Sequence, residues 1–364
     1  MNELLPDVRR DPKLLEALRR IAPGTSMRQG INDILRGDLG ALIVIGEPAE
    51  LSFLFSGGIR LDQAFSPYLL YELAKMDGAI ILNAAANRIV YANVQLMPDP
   101  TIPSAETGTR HRTAERVAKQ TGALVISISQ QRDVVTIYTG DVRYQLEEIS
   151  DVLAKTNQAV TTLETYRARL EQVTTRLTAL EFQGAVMLDD VLVALQRAEM
   201  TTRMRGEIER NVVELGVEGR LIKLQLEELS EWVPADEMSM ILDYLLPEAP
   251  GGARAALARL REFPDSRLLE LEELAEVLGY PRTVNPMDHA VSPRGYRVLS
   301  AVPRLPEAVI KRVVEHFDTL EAFVRASQAE LEEVEGVGAV RAREIREGLR
   351  RLQEQNLVDR YLNL

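Results

Sequence analysis

The chain has 364 residues, 46% of them hydrophobic and 27% charged, which is typical of a globular protein with room for two or three domains. It contains no cysteine, which excludes disulfides and thiolate metal sites and fits a reducing compartment. The longest apolar run, residues 41–45, is too short to span a membrane, and residues 1–20 carry charges where a signal peptide would be apolar. These features predict a cytoplasmic protein with no membrane partner.

The net charge of −12 is concentrated in the middle of the chain. Residues 1–140 hold 15 basic and 15 acidic side chains, residues 141–295 hold 17 and 28, and residues 296–364 hold 11 and 12. Because both ends are close to neutral, the total does not cancel basic clusters located there. An anionic partner is therefore not excluded at either end.

Residues 1–142 are predicted to form an α/β domain. Apolar residues at helical spacing indicate helices over 12–21 and 25–35, and a third helix runs to Lys75 from the cap Ser66 and the following Pro67. Helices alternate with and flank the strand-like runs, so we expect a mixed and mostly buried sheet. The predicted strands are 41–45, 79–82, 89–94, 123–129 and 134–138.

Residues 143–295 are predicted to form an all-helical spacer. From Tyr144 to about Leu229, apolar residues recur at three- and four-residue steps, the pattern of a long amphipathic helix that breaks near Gly184. Prolines and glycines then separate shorter helical segments up to Gly295. The apolar stripe is typical of packing between helices, and we predict no chemical site in this part.

A basic segment, residues 107–113, reads Thr-Gly-Thr-Arg-His-Arg-Thr. It follows a proline-rich loop and precedes a helical pattern, so its donors are predicted to lie at a helix N-terminus, where free N–H groups and the dipole favour an anion. Guanidinium groups and hydroxyls match phosphate oxygens. The segment therefore predicts a polyphosphate site, although an isolated basic triplet more often lies on a solvated surface.

An acidic segment, Asp77-Gly78-Ala79, precedes the basic one by about thirty residues and opens an apolar run. Alone, Asp-Gly before a strand predicts only a turn. Together, however, the two segments resemble the diadenylate cyclase family, whose hallmarks are an Asp-Gly-Ala motif and an Arg-His-Arg motif. The resemblance implies condensation of two ATP molecules into cyclic di-AMP with loss of two pyrophosphates.

The resemblance also implies roles for individual residues. Asp77 would bind Mg²⁺ or Mn²⁺ and take the proton of the attacking hydroxyl, a role that suits a carboxylate. The catalytic phosphate ligands would be Arg110, His111 and Arg112, and the protonation state of His111 stays open. Further ATP contacts would come from Gly78, Ala79, Leu96, Thr109, Thr113 and Ser129.

The predicted reaction needs a second copy of the domain. Each domain offers one ATP site, yet the product joins two nucleotides through two equivalent bonds, so two domains must face each other across a two-fold axis. This chemistry requires an even-numbered oligomer, and the family resemblance implies a homo-octamer.

Residues 296–364 resemble a helix-hairpin-helix domain, in which a Gly-x-Gly hairpin contacts a DNA phosphate through its amides. The hairpin is Gly336-Val337-Gly338, and the arginines that would support DNA binding are Arg341, Arg343 and Arg346. Residues 302–306 form a possible upstream partner, but prolines replace the glycines there, which favours a supporting role. The same Gly-x-Gly sequence is also compatible with a simple junction between two helices.

Three functions are compatible with these patterns. The leading prediction is a nucleoid-associated diadenylate cyclase regulated by DNA, branched or recombining, bound at the C-terminal hairpin. The alternative is a non-catalytic nucleotide-binding protein that binds DNA junctions. A third is a nucleotidyltransferase that transfers from ATP to another acceptor.

Overall fold

The computed structural model describes residues 11–131 and 133–362, with side chains as far as residue 354. Its contacts divide the chain into two compact units: Met1–Gln158 with Glu207–Gln225, and Ala159–Gly206 with Leu226–Leu364. The three-domain division at residues 142 and 295 remains a prediction. The charged stretch of residues 1–20, which argued against a signal peptide, lies partly outside the described residues.

An eight-stranded sheet organises the first unit. Its strands are β1 (Ala41–Ile45), β2 (Phe55–Ser56), β3 (Ile59–Ala64), β4 (Ala79–Leu82), β5 (Arg88–Leu96), β6 (Leu124–Ser129), β7 (Val134–Thr139) and β8 (Val142–Gln145). They follow the order β2-β5-β4-β1-β6-β7-β8, and β3 pairs with β5. Strands β1 and β4 are parallel and the other described pairs are antiparallel, which confirms the predicted mixed sheet.

Five helices cover both faces of this sheet: α1 (Pro12–Ile21), α2 (Ser26–Arg36), α3 (Pro48–Leu51), α4 (Pro67–Ala74) and α5 (Thr109–Thr121). Successive side chains of a strand point to opposite faces. Ile43 and Ile45 of β1 accordingly pack in the core formed with α1, α2 and α4, whereas Leu42 and Val44 pack in the core formed with α3 and α5. Because both faces are covered, all five residues of β1 are buried.

Three strands were not predicted. Strand β3 is almost entirely exposed, β2 has only two residues, and β8 alternates half-buried and exposed residues. None of them contains the apolar run that predicted β1, β4, β6 and β7. The structure also corrects the expected start of the helical region at Tyr144, because Tyr144 pairs with Ile137 in the sheet.

The second unit is built from helices. The long predicted helix ends at Gln183, and Gly184 follows with a φ of 66°, as the sequence indicated. No helix among the described residues is long and apolar enough to cross a membrane. The helices that follow the sheet are α6 (Ile149–Gln183), α7 (Leu188–Leu215), α8 (Arg220–Ser230), α9 (Val233–Tyr244), α10 (Gly252–Glu262), α11 (Asp265–Leu268), α12 (Leu271–Val277), α13 (Tyr296–Ser300), α14 (Glu307–Phe317), α15 (Leu320–Arg325), α16 (Gln328–Glu332) and α17 (Ala339–Leu362).

A buried ion pair attaches the C-terminal helices to the rest of the second unit. Arg297 of α13 pairs with Glu181 of α6, and both side chains are almost fully buried. The guanidinium also donates to Oγ1 of Thr178 at 2.6 Å, and the hydroxyl of Tyr244 donates to Glu181 at 2.7 Å. Asp243 of α9 accepts the backbone N–H of Arg297 at 3.0 Å. Helix α13 is thus held by charge-assisted bonds from two other helices.

Replacing Arg297 by alanine should destabilise the second unit by about 3–5 kcal/mol, because the carboxylate of Glu181 would stay buried without its counter-charge. Urea unfolding followed by circular dichroism measures this loss. The matched control is Arg325→Ala, which removes an exposed arginine paired with Glu321 and should change stability little. Equal losses in the two variants would contradict the importance of the buried pair.

Candidate functional site

The predicted nucleotide site lies at one edge of the sheet. Parallel pairing places Leu42 beside Ala79, and antiparallel pairing places Ala41 beside Ile128. The N-terminal ends of β1 and β4 therefore meet the C-terminal end of β6. Asp77 and Gly78 stand immediately before β4, at the edge where β1 also begins.

Strand β5 brings Leu96 to the same edge, because Ala79 pairs with Val94 and β5 continues beyond it. Leu96 is 8% exposed and Ala79 is 1% exposed, and both side chains belong to the core shared with α5. Only their backbone groups can therefore meet a ligand. Ser129, at the end of β6, is partly exposed.

Gly78 is required by the turn that carries Asp77. Its φ of 91° lies in the region that only glycine adopts without strain. A Cβ at this position would also lie 2.8 Å from the backbone carbonyl carbon of Asn93. The turn that follows the exposed Asp77 therefore needs glycine at position 78, both for its φ and for its close approach to β5.

Arg110 lies against the beginning of β1. A Cβ on Gly40 would lie 2.0 Å from Nη1 of Arg110, so the guanidinium occupies the space that a side chain would need. The same Nη1 donates to the carbonyl of Ile128 at 3.2 Å. These two contacts place the first arginine of the triplet at the edge where Asp77 lies.

The N-terminus of α5 is suited to an anion. The helix begins at Thr109, and Gly108, its cap residue, provides no side chain to bond the amides of the first turn. Thr109 and Arg112 are exposed, and Thr113 is half-buried. Arg112 donates to the carbonyls of Glu106 at 3.3 Å and Thr107 at 3.2 Å, so it also holds the preceding loop.

His111 is part of a hydrogen-bonded chain that the sequence did not predict. Its Nδ1 lies 2.9 Å from the hydroxyl of Tyr138, which donates to Oε1 of Glu106 at 2.8 Å. Arg143 donates to the same oxygen at 2.5 Å. Burial would raise the pKa of Glu106, but the bonds from Arg143 and Tyr138 outweigh it and lower the pKa below the ordinary value.

The loop that precedes α5 is fixed by side chains of that helix. Arg116 donates to the carbonyl of Ile102 at 2.9 Å, and Lys119 donates to the carbonyl of Pro103 at 3.1 Å. The backbone N–H of Asp99 donates to Gln120 at 3.0 Å. One helix therefore carries both the basic triplet and the bonds that position the loop beside it.

Asp77 is the metal ligand that the sequence predicted. Within residues 11–131 and 133–362, no group of three or more histidine, aspartate or glutamate side chains is arranged to hold a metal ion. A single exposed carboxylate still fits Mg²⁺ or Mn²⁺, because such ions are usually held by one or two carboxylates together with substrate phosphates.

The predicted DNA hairpin joins α16 to α17. Gly336 has a φ of 84°, which requires glycine. Gly338 has an ordinary φ, and an added Cβ would meet no atom of the described residues within 4 Å. The fold itself therefore does not demand glycine at position 338, whereas close approach of an external phosphate would.

The residues around this hairpin divide into two groups. Val337 is 3% exposed and packs in the core, so only its backbone can reach DNA. Arg341 donates to the carbonyl of Gly336 at 2.6 Å and therefore also supports the hairpin. Arg343 and Arg346 are exposed on α17.

Three family models match consecutive parts of the chain. Residues 28–142 match the nucleotide-binding part of the DisA bacterial checkpoint controller, and residues 146–287 match its linker region. Residues 296–351 match a SAM-like tandem helix-hairpin-helix.

Curated relatives match along nearly the whole chain. A protein of Carboxydothermus hydrogenoformans named DNA integrity scanning protein DisA is 51% identical, over 95% of this chain and 98% of the relative. A protein of the same name from Symbiobacterium thermophilum is 49% identical, over 95% and 98%. The chain belongs to the DisA family. The predicted family, α/β nucleotide-binding domain, helical linker and helix-hairpin-helix domain are thereby confirmed.

The sequence predicted the DisA-family motifs but not the residues that support them. Arg112, Arg116 and Gln120 recur at four-residue steps, so their common helix face was readable from the sequence. The sequence did not show that these side chains bond the loop before α5. Tyr138 and Arg143 lie on β7 and β8, whereas His111 lies on α5, and no local pattern connects them with it.

Replacing Gly40 by alanine should weaken nucleotide binding roughly tenfold, because the new methyl group displaces the guanidinium of Arg110 from its position beside Ile128. Isothermal titration with a non-hydrolysable ATP analogue measures the affinity. Gly46→Ala, at the other end of β1, is the matched control. An unchanged affinity in the Gly40 variant would show that Arg110 does not bind the nucleotide from this position.

Proposed function

We propose that this protein is a diadenylate cyclase, which condenses two ATP molecules into cyclic di-AMP and releases two pyrophosphates. The observation that carries the proposal is the convergence of Asp77, Arg110 and the N-terminus of α5, which no cap side chain covers, at one sheet edge in a domain of the DisA family. Carboxylate and phosphate-binding groups at one edge are what phosphoryl transfer between nucleotides requires.

The reaction consists of two equivalent steps. In each, a ribose 3′-oxygen attacks the α-phosphorus of the other ATP, a new phosphorus–oxygen bond forms, and the bond to the departing pyrophosphate breaks. Arg110, Arg112 and the first amides of α5 neutralise the charge on the phosphates. Asp77 accepts the proton of the attacking hydroxyl. Asp77 would also hold a Mg²⁺ or Mn²⁺ ion, which supplies further neutralisation of phosphate charge.

The open edge supports the proposal that two protomers complete the reaction site. Asp77, Gly78, Thr109 and Arg110 are all exposed in the single chain. Two such edges facing each other across a two-fold axis would bring each 3′-hydroxyl to the opposite α-phosphate and exclude water. The assembly is accordingly a homo-oligomer with an even number of subunits, and we propose an octamer.

The C-terminal hairpin is proposed to bind DNA and regulate synthesis. The exposed Gly338, the hairpin amides and the exposed Arg343 and Arg346 together suit phosphate contacts without base readout. Recognition through backbone phosphates fits branched or recombining DNA, where shape distinguishes the site. Such binding would associate the protein with the nucleoid.

Replacing Asp77 by asparagine should abolish cyclic di-AMP formation while ATP binding remains measurable, because the amide keeps the shape of the carboxylate but can neither accept the proton nor hold the metal. Purified protein is incubated with ATP and Mn²⁺, and the product is identified by mass spectrometry. Asp62→Asn, at an exposed position of β3, is the control.

Three results of that assay would contradict the proposal. Full turnover by the Asp77 variant would remove the assigned role of the carboxylate. ATP binding without any product in the wild-type protein would favour a non-catalytic nucleotide-binding protein. An adenylylated product other than cyclic di-AMP would indicate transfer to another acceptor.

Replacing Arg343 and Arg346 together by alanine should weaken binding to a four-way DNA junction and reduce the salt dependence of binding by about one counterion per lost phosphate contact. Fluorescence anisotropy at several salt concentrations measures both quantities. Arg325→Ala is the control, because Arg325 is an exposed arginine of α15 outside the hairpin. Unchanged affinity and an unchanged salt slope would exclude this face of α17 from the DNA contact.

A further inference from the structure

Tyr138 lies behind the basic triplet in a position that determines where His111 carries its proton. Tyr138 is on β7, is 1% exposed, and its ring meets the ring of His111 edge-on with centroids 6.2 Å apart. Its hydroxyl contacts Nδ1 of His111 at 2.9 Å on one side and Oε1 of Glu106 at 2.8 Å on the other.

The single proton of the tyrosine hydroxyl belongs to the bond with Glu106. The bonds from Arg143 and Tyr138 keep the pKa of Glu106 low despite its burial, so this carboxylate is ionised and only accepts hydrogen bonds. Burial and the neighbouring Glu106 raise the pKa of Tyr138 well above its ordinary value, so the hydroxyl stays protonated. Its one proton must therefore point at Glu106.

The remaining contact of the hydroxyl oxygen fixes the imidazole. Because its proton is used, the oxygen of Tyr138 can only accept a hydrogen bond from Nδ1 of His111. Nδ1 therefore carries a proton whether the ring is neutral or cationic. A Cβ on Gly108 would lie 3.9 Å from Cδ2 of His111, so this ring carbon lies beside the cap residue of the helix.

We infer that Tyr138 and Glu106 are positioning residues, which fix the orientation of the His111 ring in the first turn of α5 and keep its proton on Nδ1. The catalytic meaning of this assignment rests on the proposed cyclase reaction, whereas the assignment of the proton rests on the contacts alone. The neutral ring is therefore the tautomer with Nε2 unprotonated, and the cationic ring carries a proton on both nitrogens. Arg143 keeps Glu106 charged and oriented.

The chain of bonds also limits the motion of the histidine. A ring held through Nδ1 cannot rotate about its Cβ–Cγ bond without breaking the contact with Tyr138. Second-sphere partners of this kind typically change activity by roughly tenfold to a hundredfold through orientation and basicity. Tyr138 is buried, and Glu106 is bonded to Tyr138 and Arg143, so the two residues act through His111 and their effect should appear in kcat more than in KM.

The test uses the full chain labelled with ¹⁵N-histidine and solid-state NMR, for which the size of the oligomer is not limiting. The chain has only three histidines, His111, His289 and His316, and the signal of His111 is identified by its loss in His111→Gln. In the wild-type protein at a pH where the ring is neutral, we expect a protonated Nδ1 and an unprotonated Nε2. In Tyr138→Phe, the ring should move towards the Nε2-protonated tautomer.

Two further variants support the test: one changes the other positioning residue, and one is a control in the same sheet. Glu106→Gln, at a less buried position, should weaken the Nδ1-protonated form as Tyr138→Phe does, and both should lower kcat about tenfold or more. Tyr91→Phe removes a hydroxyl from β5 in the same sheet and should leave the His111 spectrum and kcat unchanged.

The outcomes separate this inference from the proposed function. Unchanged His111 nitrogen shifts in both variants, or an unprotonated Nδ1 in the wild type, would overturn the inference. A tautomer that changes as expected in a protein that makes no cyclic dinucleotide would refute the cyclase but uphold the proton assignment. A changed tautomer with full activity would show that the positioning has no catalytic effect and would overturn the assigned role.

Discussion

The candidate site depends on a close approach between the guanidinium of Arg110 and the backbone of β1. The approach is possible only because residue 40 has no side chain, since a Cβ there would lie 2.0 Å from Nη1. The sheet register then fixes the consequences. Ala41 pairs with Ile128, whose carbonyl accepts the hydrogen bond of Arg110, and Leu42 pairs with Ala79, which follows the Asp77-Gly78 turn. Residues far apart in the sequence therefore meet because two neighbouring strands begin at the same level.

Helix α5 turns that edge into a site with defined geometry. Its cap residue, Gly108, makes no side-chain bond to the first-turn amides, and its later turns bind the loop before it through Arg116, Lys119 and Gln120. Each such bond contributes only about 0.5–1.5 kcal/mol, but together they give a defined path to a loop without secondary structure of its own. Groups intended for a phosphate need this support, because catalysis by positioning loses much of its effect when its ligands are displaced by about 1 Å.

The sequence predicted those parts of the fold and site whose signal is local. Apolar runs identified β1, β4, β6 and β7, and Ser66 followed by Pro67 identified the start of α4, where Ser66 does accept the N–H of Leu69. Strands β2, β3 and β8 were missed because exposed strands lack an apolar run. The partners of His111 were missed for another reason: Tyr138 lies 27 residues away and meets it only through the packing of α5 on the sheet. The ion pair of Glu181 and Arg297 joins residues 116 apart and is equally invisible to local patterns.

The two hairpins of the C-terminal domain make similar backbone turns but differ in the groups that they offer a phosphate. Arg304 in the first hairpin has a φ of 63°, in the same left-handed region as Gly336 in the second, where φ is 84°. The first hairpin thus makes a similar turn without glycine, at a cost of roughly 1–2 kcal/mol in backbone strain. Pro306 immediately precedes α14, as Gly338 immediately precedes α17, and proline has no N–H to offer a phosphate.

The first hairpin instead packs against a helix of its own domain. Val302 packs so closely on α17 that a Cβ on Gly348 would lie 2.7 Å from its side chain. Glycine at position 348 is therefore explained by internal packing, whereas no neighbour among the described residues explains glycine at position 338. Of two hairpins with related turns, the one with the unexplained glycine and the intact amides is the one suited to an external anion, and the one with prolines is suited to hold the helices together.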